Sequence, residues 1–155
     1  MPTVEDLDGF ELFHRLTAAQ RVAVARTAED SDYAAGSRLF DVGRDAVGCW
    51  LIRTGQVALE TSVPGRGPVV VQTVGPGDVL GWSWLVPPSQ WRISATASEP
   101  VSAIRFDTVM LRMLAEEDPA LGYPLVLGLF EAMLARLEST RARLLDLYGS
   151  PRERA

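Results

Sequence analysis

The chain has 155 residues, enough for one domain of ordinary size, and its 47% hydrophobic and 23% charged residues are typical of a chain that buries a core. A net charge of −5 argues against generic attraction to nucleic acid or anionic lipid. The lone cysteine, Cys49, excludes an internal disulfide, and with a single histidine, His14, no metal-ligand spacing and no nucleophile–base pair can be assembled, so neither a metal site nor a catalytic residue is expected.

The first residues lack a secretory signal pattern. No apolar run approaches the roughly 18 residues that would span a bilayer. These features point to a cytoplasmic protein without membrane contact. Residues 10–29 read as a helix with a broken start, in which Phe10, Leu12, Phe13 and Leu16 form an apolar cluster. Thr17 and Gln20 have the spacing of a capping box, and Asp30-Ser31-Asp32 closes an N-terminal helical segment over 1–32. His14 is read as a half-buried surface group.

From 33 to 106 the pattern changes to short strands: Arg38–Val42, Cys49–Arg53, Gln56–Ser62, Val69–Val74, Trp91–Ala97 and Val101–Phe106. Turn residues separate them, at Ala35-Gly36, Gly43, Thr54-Gly55, Pro64–Pro68, Gly75–Asp78 and Glu99-Pro100. Strands this short at such spacing predict an antiparallel sandwich or barrel. Val57, Leu59 and Thr61 alternate with Ala58 and Glu60 as a half-buried strand requires.

Helices return over 107–149. Asp107 can cap a short helix running to Glu117, and Asp118-Pro119 starts another with proline at its first position. From Leu121 to Tyr148 one edge carries Val126, Phe130, Met133, Leu137, Thr140, Leu144 and Leu147. The steps of four and three make about three heptads, the seam of a parallel homodimer; the bland alternative is a single helix packed on its own domain. Pro124 is expected to kink the helix, and Gly149-Ser150-Pro151 to stop it, leaving 150–155 as a tail.

Four stretches carry a resemblance. They are Ala35–Gly43, the Trp50-Leu51-Ile52-Arg53-Thr54-Gly55-Gln56-Val57 hairpin, the Val74–Gly81 run ending Gly77-Asp78-Val79-Leu80-Gly81, and Arg136–Arg141. They resemble the cyclic nucleotide-binding domain of the catabolite-activator and fumarate–nitrate-reductase regulators, over roughly Phe10 to Gly149. The resemblance implies a mainly β fold with flanking helices. Its centre is an antiparallel β-roll, or double-stranded jelly roll, with an N-terminal helix and a long C-terminal dimerisation helix. It implies a non-catalytic regulatory or sensor module and a small-molecule effector. The helix-turn-helix that follows in those regulators has no counterpart up to Ala155, so no nucleic-acid binding is expected of this chain alone.

At the ligand the pattern departs from the family. Relatives that bind cyclic nucleotides follow the glycine at position 81 with Glu, which holds the ribose; here the residue is Trp82. Arg92 takes the place of their phosphate-neutralising Arg if the segment aligns without a gap. If Ala95 and Ile104 are anchored to the following strands, that place falls on Ser89 or Gln90. Loss of the ribose carboxylate leaves a buried hydroxyl pair unmatched, which costs about 1–3 kcal/mol, or one to two decades of affinity for cAMP.

The candidate ligand-binding residues are therefore Gly81, Trp82, Ser83, Trp84, Arg92 and Ser94, with Arg136, Thr140 and Arg141 from the long helix. Backbone donors after Gly81 can cradle an anion, Arg92 adds a charge-assisted contact, and Trp82, Trp84 and Trp91 can stack on a planar ligand. No cofactor is implied; the ligand is a cyclic nucleotide or another small anionic or aromatic molecule. The alternative is an adaptor for a protein partner, with its pocket filled by tryptophan.

Overall fold

A computed structural model describes residues 1–149. Two four-stranded antiparallel sheets face each other, and helices flank them at both ends of the chain. One sheet has the order β1 (Ala28–Tyr33), β8 (Val101–Asp107), β3 (Gly48–Thr54), β6 (Val79–Leu80). The other has the order β2 (Arg38–Phe40), β7 (Ser94–Ala97), β4 (Val57–Val63), β5 (Gly67–Val74). This is an antiparallel sandwich, as the strand spacing predicts, arranged as the β-roll that the resemblance implies.

The N-terminal expectation needs correcting. The segment 10–29 is not one helix: a 3-10 turn spans Glu11–Phe13, helix α2 spans only Ala18–Ala25, and a short helix α1 (Val4–Asp8) precedes both. The Thr17–Gln20 capping box is present as predicted. Asp30-Ser31-Asp32 does not end a helix but lies within β1, which pairs with β8 from Ala28↔Phe106 to Tyr33↔Val101. An acidic run forms a strand here because its charges face outward: Glu29 pairs with Arg105 at 3.4 Å and Asp30 with Arg53 at 3.4 Å. Strand β7 begins at Ser94 rather than Trp91, and the two-residue β6 has too short a pattern to be read from sequence. His14 is exposed rather than half-buried.

Asp107 caps helix α3 (Thr108–Glu117), accepting from the Val109 and Met110 amides. Asp118 caps α4 (Pro119–Tyr148), with Pro119 in its first turn. This 30-residue helix continues through Pro124. Proline removes the donor that the carbonyl four residues back needs; that carbonyl belongs to Ala120, and the side-chain amide of Gln20 donates to it at 3.1 Å. Gly128 lets α4 touch the N-terminal turn, since a Cβ there would lie 2.6 Å from the Leu12 carbonyl oxygen.

Leu121, Leu125 and Leu129 bury one face of α4 against the domain. The seam edge turns away: Val126, Phe130, Leu137, Leu144 and Leu147 are exposed and Met133 is half-buried. By length and composition α4 would suffice to cross a membrane, which the count of uninterrupted apolar residues did not anticipate. Position 150 and beyond, including the predicted tail and the end of the Gly149–Pro151 stop, lie outside the described residues.

Candidate functional site

The turn that enters the site is tightly fixed. Asp78 accepts the Gly75 amide at 2.8 Å, its own carbonyl takes the Ile52 amide, and Gly77 donates back to Ile52. β6 follows, pairing Leu80 with Trp50 and Val79 with Leu51. Gly81 then takes φ = +93°, a region costly for residues with a Cβ, and a Cβ there would also lie 2.8 Å from the Trp91 ring.

Beyond Gly81 comes a 3-10 turn over Ser83–Leu85. Trp84 is buried, and its indole N–H donates to the Gly81 carbonyl at 3.1 Å. Arg112 of α3 donates to the Trp84 carbonyl at 3.1 Å and so fastens the segment from behind. Trp91 is buried as well: it stacks on Phe40 with ring centroids 3.8 Å apart and lies 5.9 Å from Trp50. Both rings belong to the hydrophobic core.

All of the predicted ligand residues but Ser83 fall into three groups. Gly81, Trp82 and Arg136 are brought together: the Arg136 guanidinium lies over the Trp82 ring at 4.4 Å, and its Nη2 donates to the Val79 carbonyl. Trp84 and Ser94 are engaged inside the fold, the Ser94 hydroxyl accepting the Val42 amide at 3.0 Å. Arg92, Thr140 and Arg141 are exposed, and the Thr140 hydroxyl donates to the Arg136 carbonyl. Ala95 is held between Phe40 and Leu59, and Ile104 between Asp30 and Leu51. Ser83 is half-buried within the turn.

Burial pushes the Arg136 side chain below its ordinary pKa, with Asp78 and Cys49 acting the other way. The other guanidinium nitrogen, Nη1, is buried without an acceptor among the described residues. Cys49 of β3 is buried, and burial pushes its thiol up to about 12 against smaller opposing effects of Trp84 and Arg136. Asp78, Val79 and Cys49 were not among the predicted site residues. Asp78 and Val79 lie in the Val74–Gly81 run that carries the resemblance; Cys49 sits in an apolar strand run and gave no signal. Among the described residues, no group of three or more His, Cys, Asp or Glu side chains comes together as a metal site.

This architecture, a roll of two sheets whose glycine-marked turn meets a long terminal helix, defines a cyclic nucleotide-binding type of domain. The chain belongs to the cyclic nucleotide-binding domain family, which it matches over residues 30–118. Among solved structures it is similar to a candidate cyclic nucleotide-binding protein from Geobacter metallireducens GS-15, at 31% identity and a TM-score of 0.81, covering 88% of this chain and 99% of that one. A cyclic nucleotide-binding domain from Methylobacillus flagellatus KT shares the fold at 21% identity and a TM-score of 0.77, covering 92% and 80%. The Thermus thermophilus catabolite activator protein does so at 23% and 0.65, covering 88% and 62%. No curated protein gives a significant match.

Proposed function

We propose that this chain is a non-catalytic regulatory domain that acts in the cytoplasm as a homodimer paired along α4 and responds to a small anionic or aromatic effector. The observation that carries this reading is the stacking of Arg136 on Trp82 at 4.4 Å, because it ties the helix that pairs to the turn that opens the ligand segment. A shift in one element is then felt by the other, provided the effector prefers one arrangement. Pairing is supported by the exposed seam, where Phe130 is 57% and Leu147 71% accessible in the single chain. Such side chains on one edge gain about 25 cal/mol per Å² when covered. A reducing compartment is supported by the unpaired Cys49. The family and the names of the relatives support a small-molecule effector. Trp82, standing where the ribose carboxylate is expected, disfavours a cyclic nucleotide.

Two measurements test the reading. Light scattering is expected to give a dimer, and Leu137→Glu a monomer; a monomeric parent protein at all accessible concentrations would refute the pairing. Calorimetry with cAMP and cGMP is expected to show no tight binding, and a micromolar dissociation constant would restore a cyclic nucleotide as effector. A second reading, an adaptor that uses the dimer surface to hold a protein partner, is favoured by the burial of Trp84 and Trp91 in the core. A metabolite thermal-shift screen without a single hit would favour it over the sensor.

A further inference from the structure

From Leu137 to Tyr148 every residue of α4 is exposed, so the distal part of the seam is left open. The seam occupies heptad rows a (Phe130, Leu137, Leu144) and d (Met133, Thr140, Leu147). In a helix pair the rows that flank such a seam, e and g, choose the partner by charge. The charged residues of α4 in these two rows are Arg141 at e, with Arg136 and Arg143 at g; none is acidic. The carboxylates Glu131, Glu138 and Asp146 fall in rows b and c, away from a seam partner. Arg136 is turned onto Trp82. Arg141 and Arg143 are exposed, and neither forms an ion pair among the described residues.

A second copy of α4 therefore brings arginine towards arginine at the flanks, whether the two helices run parallel or antiparallel. Like charges set face to face act against a partner. We propose that the distal seam of α4 holds an amphipathic helix of another protein that carries carboxylates in its own e and g rows. Its apolar face covers Leu137 and Leu144, and its acids meet Arg141 and Arg143 on the two edges. Copies of this chain still gain by burying the seam against each other, but an acidic helix gains the same burial without the repulsion. An anionic bilayer also attracts a basic amphipathic helix, but the chain's net charge of −5 opposes approach to an extended anionic surface. This names the partner class for the adaptor reading above and rests, with it, on the seam being a helix-pairing surface.

The probe is a synthetic peptide of residues 119–148 in two forms, the natural sequence and one carrying Arg136→Glu, Arg141→Glu and Arg143→Glu. Calorimetry with the full chain, at one protein concentration and low salt, is expected to give binding at least about tenfold tighter for the substituted peptide. The preference is expected to shrink as salt is raised. A full chain carrying Arg141→Glu and Arg143→Glu, both at exposed positions, is expected to prefer the natural peptide instead. Equal binding of the two peptides, tighter binding of the natural one to the parent chain, or a preference that persists in the doubly substituted chain would overturn the proposal while leaving pairing between copies intact. Binding of neither peptide overturns it as well, and together with a monomeric parent protein removes the pairing proposed above. Attachment to phosphatidylserine vesicles that the substituted peptide does not displace assigns this edge to a membrane and also overturns it.

Discussion

Trp82 and Arg136 form a contact whose strength can be measured by a double-mutant cycle. The guanidinium carbon lies 4.4 Å from the ring centroid, well inside the roughly 6 Å over which a ring attracts a cation. Exposed pairs of this type contribute about 0.5–1 kcal/mol and desolvated ones about 2. Arg136 is half-buried, so the coupling is expected at about 1–1.5 kcal/mol. Each single variant loses more than that: Trp82→Ala also loses packing, and Arg136→Ala also loses the bond to the Val79 carbonyl. Urea unfolding of the parent, Trp82→Ala, Arg136→Ala and the double variant gives the coupling. It must be done at one protomer concentration, since the proposed pairing would add a concentration-dependent stability. Arg136→Lys keeps the charge but lacks the planar face and is expected to recover less than half of the coupling. A coupling below about 0.3 kcal/mol, within the additivity of independent sites, would show that α4 and the turn are not joined by this contact.

Trp91→Ala should cost about 3–5 kcal/mol and lower Tm by about 6–20 °C, because it empties the stack with Phe40 and Trp50; a loss below 1 kcal/mol in calorimetry would remove Trp91 from the core. Gly81→Ala should cost about 2–4 kcal/mol, combining the φ of +93° with overpacking against Trp91, and a neutral variant in denaturant unfolding would contradict that geometry. The Cys49 thiol, pushed up to about 12 by burial, should not react with a disulfide reagent at pH 8 until the protein unfolds. The same shift sets a pH dependence. Above the unfolded thiol's value, 9.0, the unfolded state releases a proton that the folded state keeps. The contribution of Cys49 to stability is therefore complete below pH 9 and lost as pH rises toward 12. Cys49→Ala should flatten that slope in unfolding measured between pH 8 and 11; an unchanged slope would place the titration elsewhere.

Much of the architecture was legible because its signals are local. Capping at Thr17, Asp107 and Asp118 depends on residues two or three positions apart, and all three caps form. The strands of the roll alternate or run apolar according to which face is buried, and their turns carry glycines. The failures share a different cause. β1 reads as a polar helix ending because its acids are matched by Arg53 and Arg105, which arrive from β3 and β8. That α4 runs on through Pro124 is not legible locally either, because its compensation, the Gln20 amide, lies about a hundred residues earlier in the chain.

The candidate site divides along the same line. Strand and heptad spacing by themselves predicted an antiparallel sandwich or barrel and a terminal helix with an apolar edge, and the resemblance implied the β-roll, the glycine at the mouth of the site and Trp82 in place of an acid. They could not rank four tryptophans or a set of arginines that look alike in one dimension. Only the tertiary structure decided that Trp84 and Trp91 belong to the core while Trp82 meets Arg136, and that Arg92 stays in solvent. The physical reason is that burial and partnership are properties of surfaces brought together from distant segments. A side chain's type limits what it can do, and its neighbours across the fold select which of those things it does.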